Sequence, residues 1–246
     1  LHTATLVHDD IIDNSDLRRG KTTVNVAWSN SHGVLIGDFI YSKAFMLMNE
    51  IGNFKVIDEL SSATNKIAEG ELMQLANKNN LNTSLQQLKK ISYYKTGRLF
   101  EASAKSAAML SGKSIPFIEN ISKAAKLIGI AFQVRDDLLD YGVSKGNIGK
   151  PEMQDILEDK ITYPLYFALK YSNKKDSSKI LKKLKNKDFS IEEVADFVSS
   201  SNAFNKCNSL IQNYNNEISK CINQISNKEI RDEMLNLSES LKNRYE

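Results

Sequence analysis

The 246-residue sequence is poor in residues that interrupt or cross-link a chain, with three prolines, eleven glycines and two cysteines. So few breakers leave long uninterrupted segments, which favours helices. Cys207 and Cys221 lie fourteen residues apart in one expected helical region. That excludes a disulfide framework and points to free thiols in a reducing, cytoplasmic setting. No run reaches the roughly 18 apolar residues of a membrane span, and no signal peptide is evident. Charge of one sign is lacking too. A net charge of +3 with 26% charged residues gives no sign of a nucleic-acid footprint, which needs a clustered basic surface. Strand-like alternation persists nowhere, and no solenoid-length repeat occurs. The length suits one large domain with a substantial core.

The one repeat is acidic. His8-Asp9-Asp10-Ile11-Ile12-Asp13 carries a DDxxD set, and Asp136-Asp137-Leu138-Leu139-Asp140 carries another 127 positions later. On a helix the first and last aspartates of each set share one face. Three like charges within a turn are unfavourable there unless a cation compensates. Carboxylate oxygens that retain water suit Mg²⁺, which commonly bridges protein carboxylates to a substrate phosphate. A solvated acidic helix face would explain one such triplet. A second copy weakens that explanation, as does the apolar setting: Leu6, Val7, Ile11 and Ile12 around the first, Phe132, Val134, Leu138 and Leu139 around the second. Arg18-Arg19-Gly20 follows the first set, and the planar guanidinium fork suits bidentate phosphate binding. Two acidic sets facing each other across a cavity fit a site for a magnesium-loaded diphosphate.

With these residues the chain resembles the trans-polyprenyl diphosphate synthase family, and its long-chain, octaprenyl-type members in particular. LVHDDIID…DLRRG is similar to the family's first aspartate-rich motif and FQVRDDLLD (132–140) to its second. Gly70-Glu71-Leu72-Met73-Gln74, Lys95-Thr96 and Gly149-Lys150-Pro151 stand in the family's order, and the likeness runs to about Leu169. The resemblance implies an all-α, isoprenoid synthase-type helical bundle around a central cavity, with residues 1–246 as a single domain. It implies Mg²⁺-dependent head-to-tail condensation of isopentenyl diphosphate with an allylic diphosphate such as farnesyl diphosphate, for quinone side chains. Asp9, Asp13 and Asp136 would be the metal ligands, with Asp10, Asp137 and Asp140 close by. Arg18 would hold the allylic diphosphate and Arg19 that of isopentenyl diphosphate. Lys95, Thr96, Gln133 and Lys150 match further allylic-side contacts, and Lys160 would reach a diphosphate. A homodimer is expected. The family carries further helices upstream, and this sequence, starting at Leu1, is expected to lack them.

The two substrates react with each other, so no nucleophilic side chain is required. His2, His8 and His32 are accordingly packing or hydrogen-bonding residues, none at a zinc-ligand spacing. Where the family has glycines, Met153 and Asp159 stand, which puts the loop geometry around Lys160 in question because these residues adopt positive φ less readily.

Thr5 lies one turn below Asp9, about 5.4 Å along the axis, with Ala4 beside it. Both are small where short-chain members carry aromatics, and the first motif lacks their two-residue insertion, so a long product is expected. Met73, Leu75 or Phe100 could instead close the pocket further down. Rival readings are a short-chain (farnesyl or geranylgeranyl) synthase, a class I terpene cyclase, a silent subunit of a heteromeric synthase, and a helical structural protein. The second DDxxD set and the Arg18-Arg19 pair argue against the cyclase, and the intact pair of motifs against the silent subunit.

Helices are expected at Leu1–Asn14, His32–Ile51, 54–77, Leu85–Leu110 with Thr83 as N-cap, and Phe117–Tyr141 after Pro116. Five more are expected from Leu165 onward, as solvated covering helices without chemistry. His32–Ile51 is apolar on all sides, the pattern of a buried helix. Within it Gly37 is expected at a close-packing site and Asp38 as a buried polar partner. Gly142–Met153 is glycine-rich and reads equally as a lid or an ordinary surface loop.

Overall fold

A computed structural model describes residues 1–142 and 153–242. They fall into two compact units, residues 1–64 and the described residues from 65 onward. The first unit holds α1 (His2–Ile12), β1 (Leu17–Arg18), β2 (Lys21–Thr22), α2 (Val24–Ala27) and α3 (Asn30–Glu50). It also takes in the opening turns of α4 (Phe54–Ala76), which continues into the second unit. After the first acidic set comes a minimal antiparallel hairpin, pairing Leu17 with Thr22 and Arg18 with Lys21. Its two-residue turn, Arg19-Gly20, has φ of 53° and 73°. Positive φ at both central residues is the type I′ pattern that matches strand twist.

The apolar helix α3 is not buried all round. Gly33, Gly37 and Met48 are its buried residues, while Leu35, Phe39, Met46 and Leu47 are exposed. Within this unit α3 packs against α1 and α2, and a second apolar face stays exposed among the described residues. Asp38 is likewise not buried, its side chain being 64% exposed.

In the second unit the expected Leu85–Leu110 helix is broken into α5 (Leu85–Ser92), a π-helical turn at Tyr93–Gly97, and α6 (Arg98–Leu110). Its N-cap is Ser84, not Thr83. Ser84 Oγ accepts from Gln87 N at 3.2 Å and Ser84 N donates to Gln87 Oε1 at 2.8 Å, a capping box that satisfies two backbone donors reciprocally. Thr83 instead accepts from Asn77 and donates to the Asn80 carbonyl. Helix α7 (Ile115–Asp140), with proline in its first turn as expected, packs against α6 and α12 (Ala203–Asn223). A Cβ on Gly129 would fall 2.7 Å from Gly97 Cα, so the backbones touch where α7 crosses the π-turn. Ala124 and Ile128 of α7 meet Ile218, Cys221 and Ile222.

Further along, Val134 and Leu138 join Tyr163 and Leu165 of α9 (Tyr163–Tyr171), Ile180 of α10 (Lys174–Asn186) and Val194 and Val198 of α11 (Ile191–Ser200). Helices α8 (Gln154–Leu157) and α13 (Lys228–Lys242) complete the elements of the described residues. The C-terminal helices are therefore not mere covering. Their inner faces form much of this core, Cys207 and Cys221 included, both buried and free.

Candidate active site

The first acidic set is fixed by how α1 seats on α3. Gly33 and Gly37 are one turn apart, and each receives a side chain from α1. A Cβ on Gly33 would lie 2.6 Å from Ile11 Cδ1, and one on Gly37 only 2.1 Å from His8 Nε2. The His8 ring is thereby clamped. Its Nε2 donates to the Val34 carbonyl at 3.1 Å and lies 3.4 Å from Asp38 Oδ1, and its plane is within 11° of Tyr41's. This places Asp9, the next residue, at a set height on α1. Asp13 forms the helix C-cap, its N–H on the Asp9 carbonyl. Asp9 and Asp13 are half-buried, whereas Asp10 is only 5% exposed. Asp10 Oδ1 takes two donors from Arg18, Nε at 2.7 Å and Nη2 at 2.5 Å. The hairpin exists locally to bring that guanidinium back; Arg19, in its turn, points to solvent.

The second set, at the C-terminal end of α7, repeats the scheme with other partners. Asp136 is exposed and Asp137 buried. Gln133 Nε2 donates to Asp137 Oδ1 at 2.9 Å and Tyr163 N to Oδ2 at 3.2 Å. Gln133 in turn accepts from Thr96 Oγ1 at 2.7 Å. Burial, reinforced by the nearby Asp155 carboxylate, pushes the Asp137 carboxyl well above the usual range. The π-turn explains why two adjacent residues serve two helices. Thr96 reaches α7, while Lys95 reaches back to α4, donating to Glu71 Oε2 at 2.9 Å and Gln74 Oε1 at 2.8 Å. Gly70 makes room for this, since a Cβ there would sit 2.7 Å from Lys95 N. π-turns of this kind recur at functional sites.

Asp140 has a structural duty. Its carboxylate accepts from Gln154 N and Asp155 N at 3.0 and 3.1 Å and so caps α8. Met153 and Asp159 both take left-handed backbone, φ 63° and 60°, which is the conformation a glycine would adopt more easily. Lys160 is nearly buried and paired with Glu158. Asp155 is pushed up to about 7 by burial first and Asp140 second, with Lys160 opposing. Lys150 lies outside the described residues. Ala4 is fully buried; Thr5 is half-buried, with its hydroxyl on the His2 carbonyl.

The sequence-predicted residues thus assemble as two local groups. Asp9, Asp10, Asp13 and Arg18 gather with Arg19 nearby, and Thr96, Gln133 and Asp137 form one hydrogen-bonded chain beside Asp136 and Asp140. Sequence reasoning did not assign Glu71 and Gln74 as the partners of Lys95, though it singled out their segment. It also gave no role to Tyr163 or to Tyr41. Among the described residues no three acidic, histidine or cysteine side chains are drawn into a ligand cluster. One or two carboxylates at a time is nonetheless a donor set that suits Mg²⁺, which keeps several waters and completes its shell with substrate phosphate.

Three comparisons bear on this arrangement. Residues 1–201 match the sequence model of a family described as polyprenyl synthetase. The octaprenyl diphosphate synthase of Escherichia coli is 42% identical over 180 residues, covering 73% of this chain and 56% of that protein. The all-trans-nonaprenyl-diphosphate synthase (geranyl-diphosphate specific) of Rhodobacter capsulatus is 38% identical over 208 residues, 84% of this chain and 64% of that one. The chain therefore spans somewhat more than half the length of these relatives. Among solved structures, a decaprenyl diphosphate synthase from Rhodobacter capsulatus superposes with a TM-score of 0.92 at 29% identity, covering 100% of this chain and 76% of that one. A polyprenyl synthase from Caulobacter crescentus, complexed with calcium and isoprenyl diphosphate, gives 0.90 at 30% identity, with coverages of 98% and 74%.

Proposed function

We propose that this chain, which belongs to the polyprenyl synthetase family, carries out Mg²⁺-dependent elongation of an allylic diphosphate by isopentenyl diphosphate to a long all-trans product. The observation that carries the proposal is the matched build of the two DDxxD sets. In each the middle aspartate is buried and tied down, by Arg18 in one and by Gln133 and Tyr163 N in the other, while the first is left more accessible. A salt-bridged surface patch has no need of that division. Asp9, Asp13 and Asp136 would hold Mg²⁺, which when bound supplies charge stabilisation for the departing diphosphate.

The chain's own residues then position and neutralise. Arg19 and Lys95 meet phosphate oxygens, Lys95 exchanging Glu71 for the substrate. Arg18 shares its fork between Asp10 and the allylic diphosphate. Thr96 and Gln133 orient by hydrogen bonds. The allylic C–O bond breaks with its electron pair leaving on the diphosphate. The isopentenyl double bond supplies the electrons of the new C–C bond, and the proton then lost is accepted by the released diphosphate. Farnesyl diphosphate as the allylic substrate, a cytoplasmic location and use in quinone side chains belong to the same reading. So does a homodimer, which the uncovered apolar face of α3, with Leu35, Phe39, Met46 and Leu47 exposed, supports.

The test uses full-length protein with Mg²⁺, farnesyl diphosphate and labelled isopentenyl diphosphate, with products resolved by length. A ladder ending in a long polyprenyl diphosphate is expected. A single short product would keep the reaction and overturn the long-chain reading; release of diphosphate without elongation would replace it with a cyclase.

A further inference from the structure

The net charge of +3 conceals a strong asymmetry. Residues 170–187 hold eight lysines and one acid, Asp176, so this segment is +7 and the rest of the chain is −4. Fold turns that cluster into a face. In α10, Ser177 and Ile180 are buried, and Leu181 and Leu184 pack half-buried beside them. Lys174, Lys175, Lys179, Lys182 and Lys185 are exposed, and at 100° per residue they occupy one arc of about 140° opposite that apolar side.

Neighbouring carboxylates neutralise only part of the cluster. Glu193 takes Lys183 at 2.6 Å with Lys179 at 4.0 Å, and Asp159 takes Lys187 at 2.8 Å. Lys174, Lys175, Lys182 and Lys185 have no ion pair among the described residues. The patch extends sideways through Lys170 and Lys206, which lie over the half-exposed ring of Tyr171 at 5.6 and 4.7 Å. Four unpaired ammonium groups on a short, firmly seated helix are costly in self-repulsion, and a polyanionic surface relieves it.

We propose that this lysine face of α10 docks the protein on the anionic headgroups of a lipid bilayer. Lysine is the only cation in the segment. It is a hydrated point charge suited to diffuse attraction, and it lacks the bidentate fork that reads phosphates or bases individually. Clusters of four to eight such residues are the usual footprint on anionic membranes, and a tyrosine at the edge of the patch fits the interface. The physiological sense rests on the proposed function, since a long polyprenyl chain is too apolar to be released into water and a bilayer-bound enzyme has its sink at hand. The docking itself does not depend on turnover.

The test is co-sedimentation of the full-length protein with phosphatidylcholine vesicles and with mixed phosphatidylcholine–phosphatidylglycerol vesicles. The comparison is K174Q/K175Q/K182Q/K185Q, which leaves the buried side of α10 and the Lys183–Glu193 pair intact. Wild type is expected on the mixed vesicles only, and to leave them as salt shortens the screening length from about 8 Å toward 3 Å. Each lysine is worth about fivefold in partitioning, so the quadruple variant should lose two to three orders of magnitude. Elongation in lipid-free buffer should be unchanged in that variant.

Equal binding to both vesicle types, no binding by wild type, or full binding by the variant would each overturn the proposal. So would tight binding of duplex DNA under conditions where the mixed vesicles are ignored. A protein that docks but does not elongate would refute the proposed function and leave the docking intact.

Discussion

Gly37→Ala puts the seat of the first acidic set to the test. The added methyl would lie 2.1 Å from His8 Nε2, 2.4 Å from Cδ2 and 2.9 Å from Cε1, so the ring has to move by more than an ångström. Moving it breaks the 3.1 Å bond to the Val34 carbonyl, worth about 1 kcal/mol, and forced repacking adds about 1–3 kcal/mol. Alanine in a helix returns up to about 1 kcal/mol relative to glycine. The net loss is therefore about 1–3 kcal/mol, or roughly 3–10 °C in melting temperature for a chain of this size. Circular dichroism melts of Gly37→Ala, His8→Ala and the double variant separate the cause. Removing the ring removes the clash, so the double variant should be more stable than the sum of the singles by about 1–3 kcal/mol. If Gly37→Ala melts at or above the wild-type temperature, or if the two effects simply add, His8 does not hold α1 in register on Gly37. The same variant should require more Mg²⁺ for activity, because the displaced residue is the neighbour of Asp9.

Arg18→Ala should destabilise by about 2–3 kcal/mol, since it strands the buried Asp10 carboxylate; this is discounted from the fully buried case because Arg18 is itself a third exposed. A loss below about 0.5 kcal/mol in urea unfolding would show that Asp10 finds other partners. Asp155 binds its proton more tightly folded than unfolded, with a folded value of about 7 against 3.8. The folded chain thus carries more protons across that window, and metal-free stability should fall as pH rises through it. Asp155→Asn should flatten the profile, and an unchanged slope between pH 4 and pH 7 would assign the dependence elsewhere. Ala4→Phe should shorten the product, because Ala4 lies on α1 beside Thr5, which is one turn below Asp9. An unaltered product distribution in the elongation assay would mean that the growing chain does not pass that turn.

What the sequence made legible follows from spacing. The i, i+4 aspartates share a face wherever a helix forms, and both α1 and α7 form. Which aspartate turns inward was not legible, because it depends on partners that arrive through folding: Arg18 by way of a two-residue hairpin, and Tyr163 N from a helix 26 residues further on. The exposure of α3 escaped for a similar reason. An all-apolar pattern states what a helix could bury, while burial itself depends on the neighbours present. The π-turn has no signature in Tyr93-Tyr94-Lys95-Thr96-Gly97. Its place is tied to contacts at Gly70, Gly97 and Gly129, where the glycines lie against one another's elements.

Met153 and Asp159 show how a backbone requirement and a residue type can part company. Left-handed conformation was expected to resist them, and both adopt it, at about 1–2 kcal/mol each for an ordinary residue. At Met153 the side chain is only 4% exposed and packs in the core with Val134, Ile156 and Ile161. Burying a side chain of that size contributes about 1.5–3 kcal/mol, enough to offset the strain, and a glycine there would gain conformation and lose the packing. Asp159 belongs to the residue types that tolerate the left-handed region best. Its carbonyl accepts from Asn79 N at 2.9 Å and its carboxylate pairs with Lys187. The turn around Lys160 therefore keeps its path through side-chain contacts in place of glycine's freedom. The result is a Lys160 held against Glu158 at the base of α8, where any diphosphate it serves must first draw it away from that carboxylate.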